Sequence, residues 1–179
     1  RAWTSQAHFL TTNPCGEVPL LDDEPCNLGS INLANFVVGN SFDWGRLEYM
    51  TRLATNYLDD TLDHNAFPDP AIHTAAYLTR KLGLGVMGWA DALCLLHLPY
   101  DSQAAVDLGG EVMQAINYWA RDASVVLAET KGPAPCFEHD TLRNATRTCI
   151  APTGTISILA DASSGIEPHF STEWTHQMA

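Results

Sequence analysis

Apolar residues recur at helical spacing in two long stretches. Leu47, Met50, Ala54, Tyr57, Leu58, Thr61 and Leu62 share one face, which predicts a helix opened by Asp43 as N-cap and running to about residue 65. Pro68 and Pro70 end it, and Pro70 opens a second helix to about residue 82. Val106, Val112, Met113, Ile116, Trp119, Ala123, Val126 and Leu127 predict a longer helix, capped by Asp101 or Ser102 and running to about residue 130. Lys131-Gly132-Pro133 stops it. All these apolar positions are assigned to the core.

Shorter runs fill the gaps. Leu20-Leu21-Asp22-Asp23-Glu24-Pro25 reads as a turn, and Cys26-Asn27-Leu28-Gly29-Ser30-Ile31-Asn32-Leu33 as a strand. Gly83-Leu84-Gly85-Val86-Met87-Gly88 reads as a Gly-rich strand entering a helix over 89–97, where Cys94 is taken as a core residue. Arg147-Thr148-Cys149-Ile150-Ala151 is a further short strand, and 161–170 a loop or short strand. Residues 1–12 show no clear period. Strand, helices, strand, helices, strand is the order of an α/β architecture with parallel strands. No repeat, low-complexity tract or linker marks a second domain.

Composition narrows the partners. The 179 residues are 46% hydrophobic and 17% charged, with net charge −12, so the chain is globular with a sizeable core. Nine basic residues without a run argue against a nucleic-acid polymer as partner. Five cysteines without a C-x-x-C suit a reducing compartment. Asn144-Ala145-Thr146 matches a glycosylation acceptor, but no signal peptide supports export and no apolar run reaches membrane-span length. The expected location is the cytoplasm.

Two stretches carry candidate chemistry. Asn13-Pro14-Cys15-Gly16-Glu17 sets an amide, a thiol and a carboxylate at alternate positions. In an extended segment they would face one ligand together, such as a polyol. On spacing alone, a surface turn with a buried free cysteine is the better reading. Pro152-Thr153-Gly154-Thr155-Ile156-Ser157 offers small and hydroxyl residues at a helix start, which suits a phosphate cradle as well as an ordinary capped helix. Together they suggest a phosphorylated sugar with its ring over Cys15.

Other patterns carry less. Gly83–Gly88 matches G-x-G-x-x-G without the preceding buried strand that a dinucleotide site needs. His169, Glu173 and His176 have no familiar metal spacing and are read as solvated polar residues, so no metal site is expected. A thiol hydrolase with Cys15 as nucleophile would need a histidine beside it, and the nearest in sequence, His8, has no supporting motif.

Taken together, the 13–17, 26–33, 83–88 and 152–157 stretches, with Ser163-Ser164-Gly165-Ile166-Glu167-Pro168, resemble the catalytic subunit of ribonucleotide reductase in that family's order. The flavour is most similar to the adenosylcobalamin-dependent class II enzymes. The resemblance implies a piece of a ten-stranded α/β barrel, spanning the whole chain with residues 1–12 uncertain, with the 13–17 loop at the tip of a central finger. Cys15 would be the transient thiyl radical, Glu17 the base on the ribose 3′-hydroxyl, and Asn13 a hydrogen-bonding partner of the ribose hydroxyls. Pro14 and Gly16 would shape the substrate loop, and residues Pro152, Thr153, Gly154, Thr155, Ile156 and Ser157 would bind the phosphates. Cys26 would belong to a redox pair reopened by thioredoxin or glutaredoxin.

The resemblance also bounds the chemistry. Glu17 argues against the glycyl-radical class, which uses formate in its place. Diphosphates are preferred over triphosphates as substrates. No cysteine among the 14 residues before Cys15 serves as partner of Cys26, and regions for cobalamin and an allosteric nucleotide have no match here. The chain alone is expected to be inactive. The alternatives are a class I large subunit with a separate radical-generating subunit, or a non-catalytic nucleotide-phosphate-binding domain.

Overall fold

The computed structural model describes residues 11–137 and 141–171. Strands β1 (Thr11–Thr12) and β2 (Pro19–Leu20) form an antiparallel hairpin. Strand β3 (Asn27–Asn32) runs through a single 3-10 turn into a second small hairpin, β4 (Val37–Val38) and β5 (Ser41–Phe42). Helices α1 (Trp44–His64) and α2 (Pro70–Thr79) precede β6 (Leu82–Met87). Then come α3 (Trp89–Leu95), α4 (Gln103–Lys131) and the short α5 (Gly154–Leu159).

Every residue of β6 is buried, as a central strand requires. It pairs in parallel with β3, Asn27 opposite Leu82 through Asn32 opposite Met87. On its other side the expected strand over 147–151 shrinks to one parallel bridge, Leu84 to Thr148, flanked by Leu84 N–H to Arg147 O and Cys149 N–H to Leu84 O. The mixed architecture with parallel strands is therefore present. The described residues give open sheets, not a closed barrel.

The helices start where the caps expect them. Asp43, Asp69 and Ser102 accept from the first-turn amides of α1, α2 and α4. Their buried faces differ from the apolar pattern. Tyr57 is 67% exposed, Val106 63% and Val126 50%, while Thr51, Thr55, Asp59 and Ser124 are buried. Thr51 and Thr55 donate to carbonyls one turn back, at 2.8 and 2.9 Å, so their hydroxyls need no water. Ala120, Ala123 and Ala128 let α4 lie close on α1. Cys94, expected in the core, is exposed because α3 turns Trp89, Ala90, Ala92 and Leu93 inward instead.

Helix α2 ends at Thr79, three residues earlier than expected, and is capped by Arg80, whose φ is 48°. The left-handed turn sends its guanidinium to Asp59, which is fully buried. Asp59 Oδ1 accepts from Arg80 Nε at 3.0 Å and Asn144 Nδ2 at 2.9 Å, and Oδ2 from Arg143 Nε at 2.8 Å. Burial alone would raise the Asp59 pKa, but Arg143, Arg80 and Asn144 outweigh it and hold the carboxyl below its usual range. Asn144, the apparent glycan acceptor, is 0% exposed and also donates to Arg80 O. Asp59, Asp60 and Asp63 come within 4.8 Å of one another. Arg80, Arg143 and Lys131 already occupy those oxygens, so the cluster is a structural clamp joining α1, the end of α4 and the lead into β6.

Candidate active site

The 13–17 stretch caps the β1–β2 hairpin as a turn, as the spacing alone suggests, and not as the extended segment that would align its three side chains. Asn13 and Val18 close it, backbone to backbone at 3.2 Å and through Val18 N–H to Asn13 Oδ1 at 3.0 Å. Gly16 N–H donates to Asn13 O at 3.0 Å with φ at 83°, a left-handed conformation that suits glycine. The Asn13 carbonyl oxygen therefore shapes the turn. Cys15 is exposed at the tip, contrary to the buried-cysteine reading.

Glu17 points back toward the sheet. Its Oε2 is buried and has no hydrogen-bond partner among the described residues. Its charge contributes, after burial, to raising the pKa of both Cys26 and Cys149. Burial, then Cys149, push the Cys26 thiol up to about 12. Burial and Glu17 push Cys149 to about 11. Both stay protonated at neutral pH, the form that gives up hydrogen rather than the one that attacks as a nucleophile.

Cys149 is the residue that sequence reading missed. It flanks the same glycine as Cys26: a Cβ built at Gly83 would lie 2.6 Å from the Cys149 sulfur and 3.5 Å from that of Cys26. The signal was Gly83 itself, which the strand reading took only as close packing. Yet β3 and the 147–149 segment lie on opposite sides of β6. Their backbones are about two strand spacings apart, roughly 9–10 Å, beyond the ~4.4–6.8 Å that a disulfide spans between Cα atoms. Cys149 shares a wall with Cys26 and is too far to bridge it. The first two glycines of the G-x-G-x-x-G match lie inside β6 and not in a loop, and only Gly88 caps α3, so it forms no dinucleotide cradle.

The 152–157 stretch follows Cys149 by three residues, at most about 11 Å of chain. The sequence expects Thr153 among the hydroxyl residues of a phosphate cradle or an ordinary capped helix start. Instead it adopts φ 61°, makes no side-chain cap, and its Oγ1 accepts from Gly165 N–H at 2.7 Å. Ser157 likewise shares a hydrogen bond with Ser164 at 3.0 Å. Gly154, Thr155 and Ile156 remain exposed in the first turn of α5, where amides lack intrahelical partners. The turn is fastened to α3: Asp91 Oδ2 accepts from Ser163 N–H at 2.6 Å, and Asp91 Oδ1 pairs with His169 Nε2 at 2.9 Å. His169 thus contacts the Asp91 carboxylate and is not merely solvated. Glu173, His176 and His8 lie outside the described residues.

The profile of the ribonucleotide reductase barrel domain matches residues 2–142 and 138–179. The chain belongs to the ribonucleotide reductase family. It is 48% identical over 170 residues to a vitamin B12-dependent ribonucleoside-diphosphate reductase of Mycobacterium tuberculosis, covering 92% of this chain and 25% of that protein. It is 50% identical over 168 residues to a protein of the same name from Thermoplasma acidophilum, covering 89% of this chain and 22% of that one. A ribonucleoside-diphosphate reductase subunit alpha of Chlamydia trachomatis is 34% identical over 154 residues, 84% of this chain and 14% of the relative. The chain thus spans a quarter or less of the length of these reductase relatives. Among the described residues no helix is long and apolar enough to cross a membrane.

Proposed function

We propose that this segment carries the reaction centre of a reductase that converts ribonucleoside diphosphates to 2′-deoxyribonucleotides for DNA synthesis, in the cytoplasm. The relatives' names support the diphosphate and the vitamin B12 cofactor. The single observation that carries the reading is Glu17: a buried, unpaired carboxylate oxygen two residues beyond Cys15 on the same hairpin. An unpaired buried acceptor is costly, and a ribose hydroxyl is a donor of the right kind to satisfy it.

In this reading Cys15, as a thiyl radical, takes the ribose 3′ hydrogen while Glu17 accepts the 3′-hydroxyl proton and Asn13 holds the ribose hydroxyls. The 2′-hydroxyl leaves as water. Two thiols, Cys26 and a partner outside this chain, supply two electrons and two protons and close as a disulfide. Thioredoxin or glutaredoxin reopens it by exchange. Pro152, Thr153, Gly154, Thr155, Ile156 and Ser157 form the phosphate turn, with the exposed first-turn amides as donors. The rest of the ten-stranded barrel closes around the hairpin and excludes water.

Adenosylcobalamin, when bound, would supply radical chemistry, and Cys15 is the residue of this segment that would carry the radical on to substrate. The thiol stands at the tip of the hairpin, the place on this segment from which its hydrogen could pass to such a radical. Residues that hold the cofactor, and an allosteric nucleotide, belong to regions beyond this one. The test is Cys15→Ala in the full chain: nucleotide binding persists and deoxynucleotide formation is lost entirely. Turnover that survives the substitution removes the radical reading. A wild-type chain that binds nucleotide without reducing it supports a non-catalytic binding domain instead.

A further inference from the structure

We propose that Lys81 and Glu24 are positioning residues that set the aim of the Cys15 hairpin. The inference rests on the radical role proposed for Cys15. The side chains of both are 0% exposed, and desolvation of two charges offsets most of what their attraction returns, so stability alone is a poor reason to keep them.

What the pair does is geometric. Lys81 Nζ donates to Glu24 Oε2 at 2.6 Å and to Pro19 O at 2.7 Å. The same Oε2 accepts from Leu21 N–H at 2.7 Å, and Oε1 from Thr79 Oγ1 at 2.5 Å. The return strand of the hairpin is thus gripped on both sides of Leu20, at the carbonyl of residue 19 and the amide of residue 21. The grip is rooted where the chain enters β6, since Lys81 directly precedes Leu82. β1 and β2 contribute only two residues each, and so short a ribbon has little rigidity of its own. Cys15 lies four residues before the gripped carbonyl. A pivot there moves the sulfur relative to the substrate, and misplacement by about 1 Å costs on the order of 100-fold in rate.

The test removes both charges together, with Lys81→Met/Glu24→Gln in the full chain, because either single change strands a buried charge. The expected result is a folded protein that binds nucleotide with unchanged Kd and stoichiometry while kcat falls about 100-fold. A folded double variant with wild-type kcat overturns the proposal. So does a parallel fall in kcat and binding stoichiometry, which reports lost protein and not lost aim. Should the double variant fail to fold, amide exchange of the wild type decides. Leu21 N–H must be protected to the level of Leu84 N–H in β6, and free exchange at Leu21 refutes the grip. If the wild-type full chain reduces no nucleotide, the reading of Cys15 itself falls and this proposal with it.

Discussion

Gly83 and Gly85 lie two residues apart on β6, and a methyl group added to each meets very different neighbours. At Gly85 the new Cβ would lie 2.4 Å from the main-chain oxygen of Cys149, against an ordinary C···O contact of about 3.3 Å or more. A carbonyl cannot rotate away, so the 147–149 segment must retreat by roughly 1 Å, stretching the bonds Leu84 N–H to Arg147 O, at 2.8 Å, and Cys149 N–H to Leu84 O, at 3.2 Å. Overpacking costs ~2 kcal/mol, and the two stretched hydrogen bonds, weakened but not broken, together cost ~1 kcal/mol. The conformational gain of Gly→Ala returns ~0.5–1 kcal/mol, leaving about 2 kcal/mol of net loss. At Gly83 the clashes, 2.5 Å to Leu28 Cδ2 and 2.6 Å to Cys149 Sγ, are with side-chain ends that can turn, at ~0.5–1.5 kcal/mol. There the same gain brings the balance near zero. Native-state amide exchange at Leu84 reads the difference: Gly85→Ala should speed it about 30-fold, and Gly83→Ala less than about 5-fold. Equal effects, or the reverse order, would refute the assignment of the 147–149 segment to the flank of β6.

Asp59→Ala should destabilise the chain by about 3–5 kcal/mol in thermal or denaturant unfolding, because Arg80 and Arg143 are left buried without their carboxylate. The Asp59 pKa lies below its ordinary 3.8, so its contribution is complete above that pH and is lost as pH falls through the lower folded value. Melting temperature should therefore drop more steeply below about pH 4 in the wild type than in Asp59→Asn. Maleimide labelling near pH 8, followed by peptide mapping, should modify exposed Cys15 and Cys94 first. Cys26, pushed up to about 12, and Cys136 and Cys149, each to about 11, should lag. Diamide oxidation should give no Cys26–Cys149 cross-link in the folded chain, and finding one by mass spectrometry would contradict the strand order.

The elements were largely legible because their signals are local. Asp43 and Ser102 each cap the helix they open, and Pro70 and Gly132 punctuate as their backbone chemistry demands. The buried faces were less so. Thr51 and Thr55 look polar in sequence, yet each hydroxyl is satisfied by its own helix. Tyr57 and Val126 look apolar and face outward. Cys15, Glu17 and Cys26 stood out through motif and resemblance. Cys149, Lys81 and Glu24 did not, because their meaning comes from β6 and its lead-in bringing together distant residues, such as Cys26 and Cys149 on either side of Gly83 or Glu24 and Lys81. A pairing of that reach leaves no periodic trace in either partner.

The clamp around Asn144 bears on how the protein can be produced. In a secretory host, oligosaccharide is attached to Asn-x-Thr acceptors while the chain is still emerging. Its target here is the same amide nitrogen that must later donate to Asp59 and to the Arg80 carbonyl in a space with no solvent access. A sugar-bearing Asn144 cannot enter that space, so material routed through such a host should misfold unless the acceptor threonine, Thr146, is first replaced.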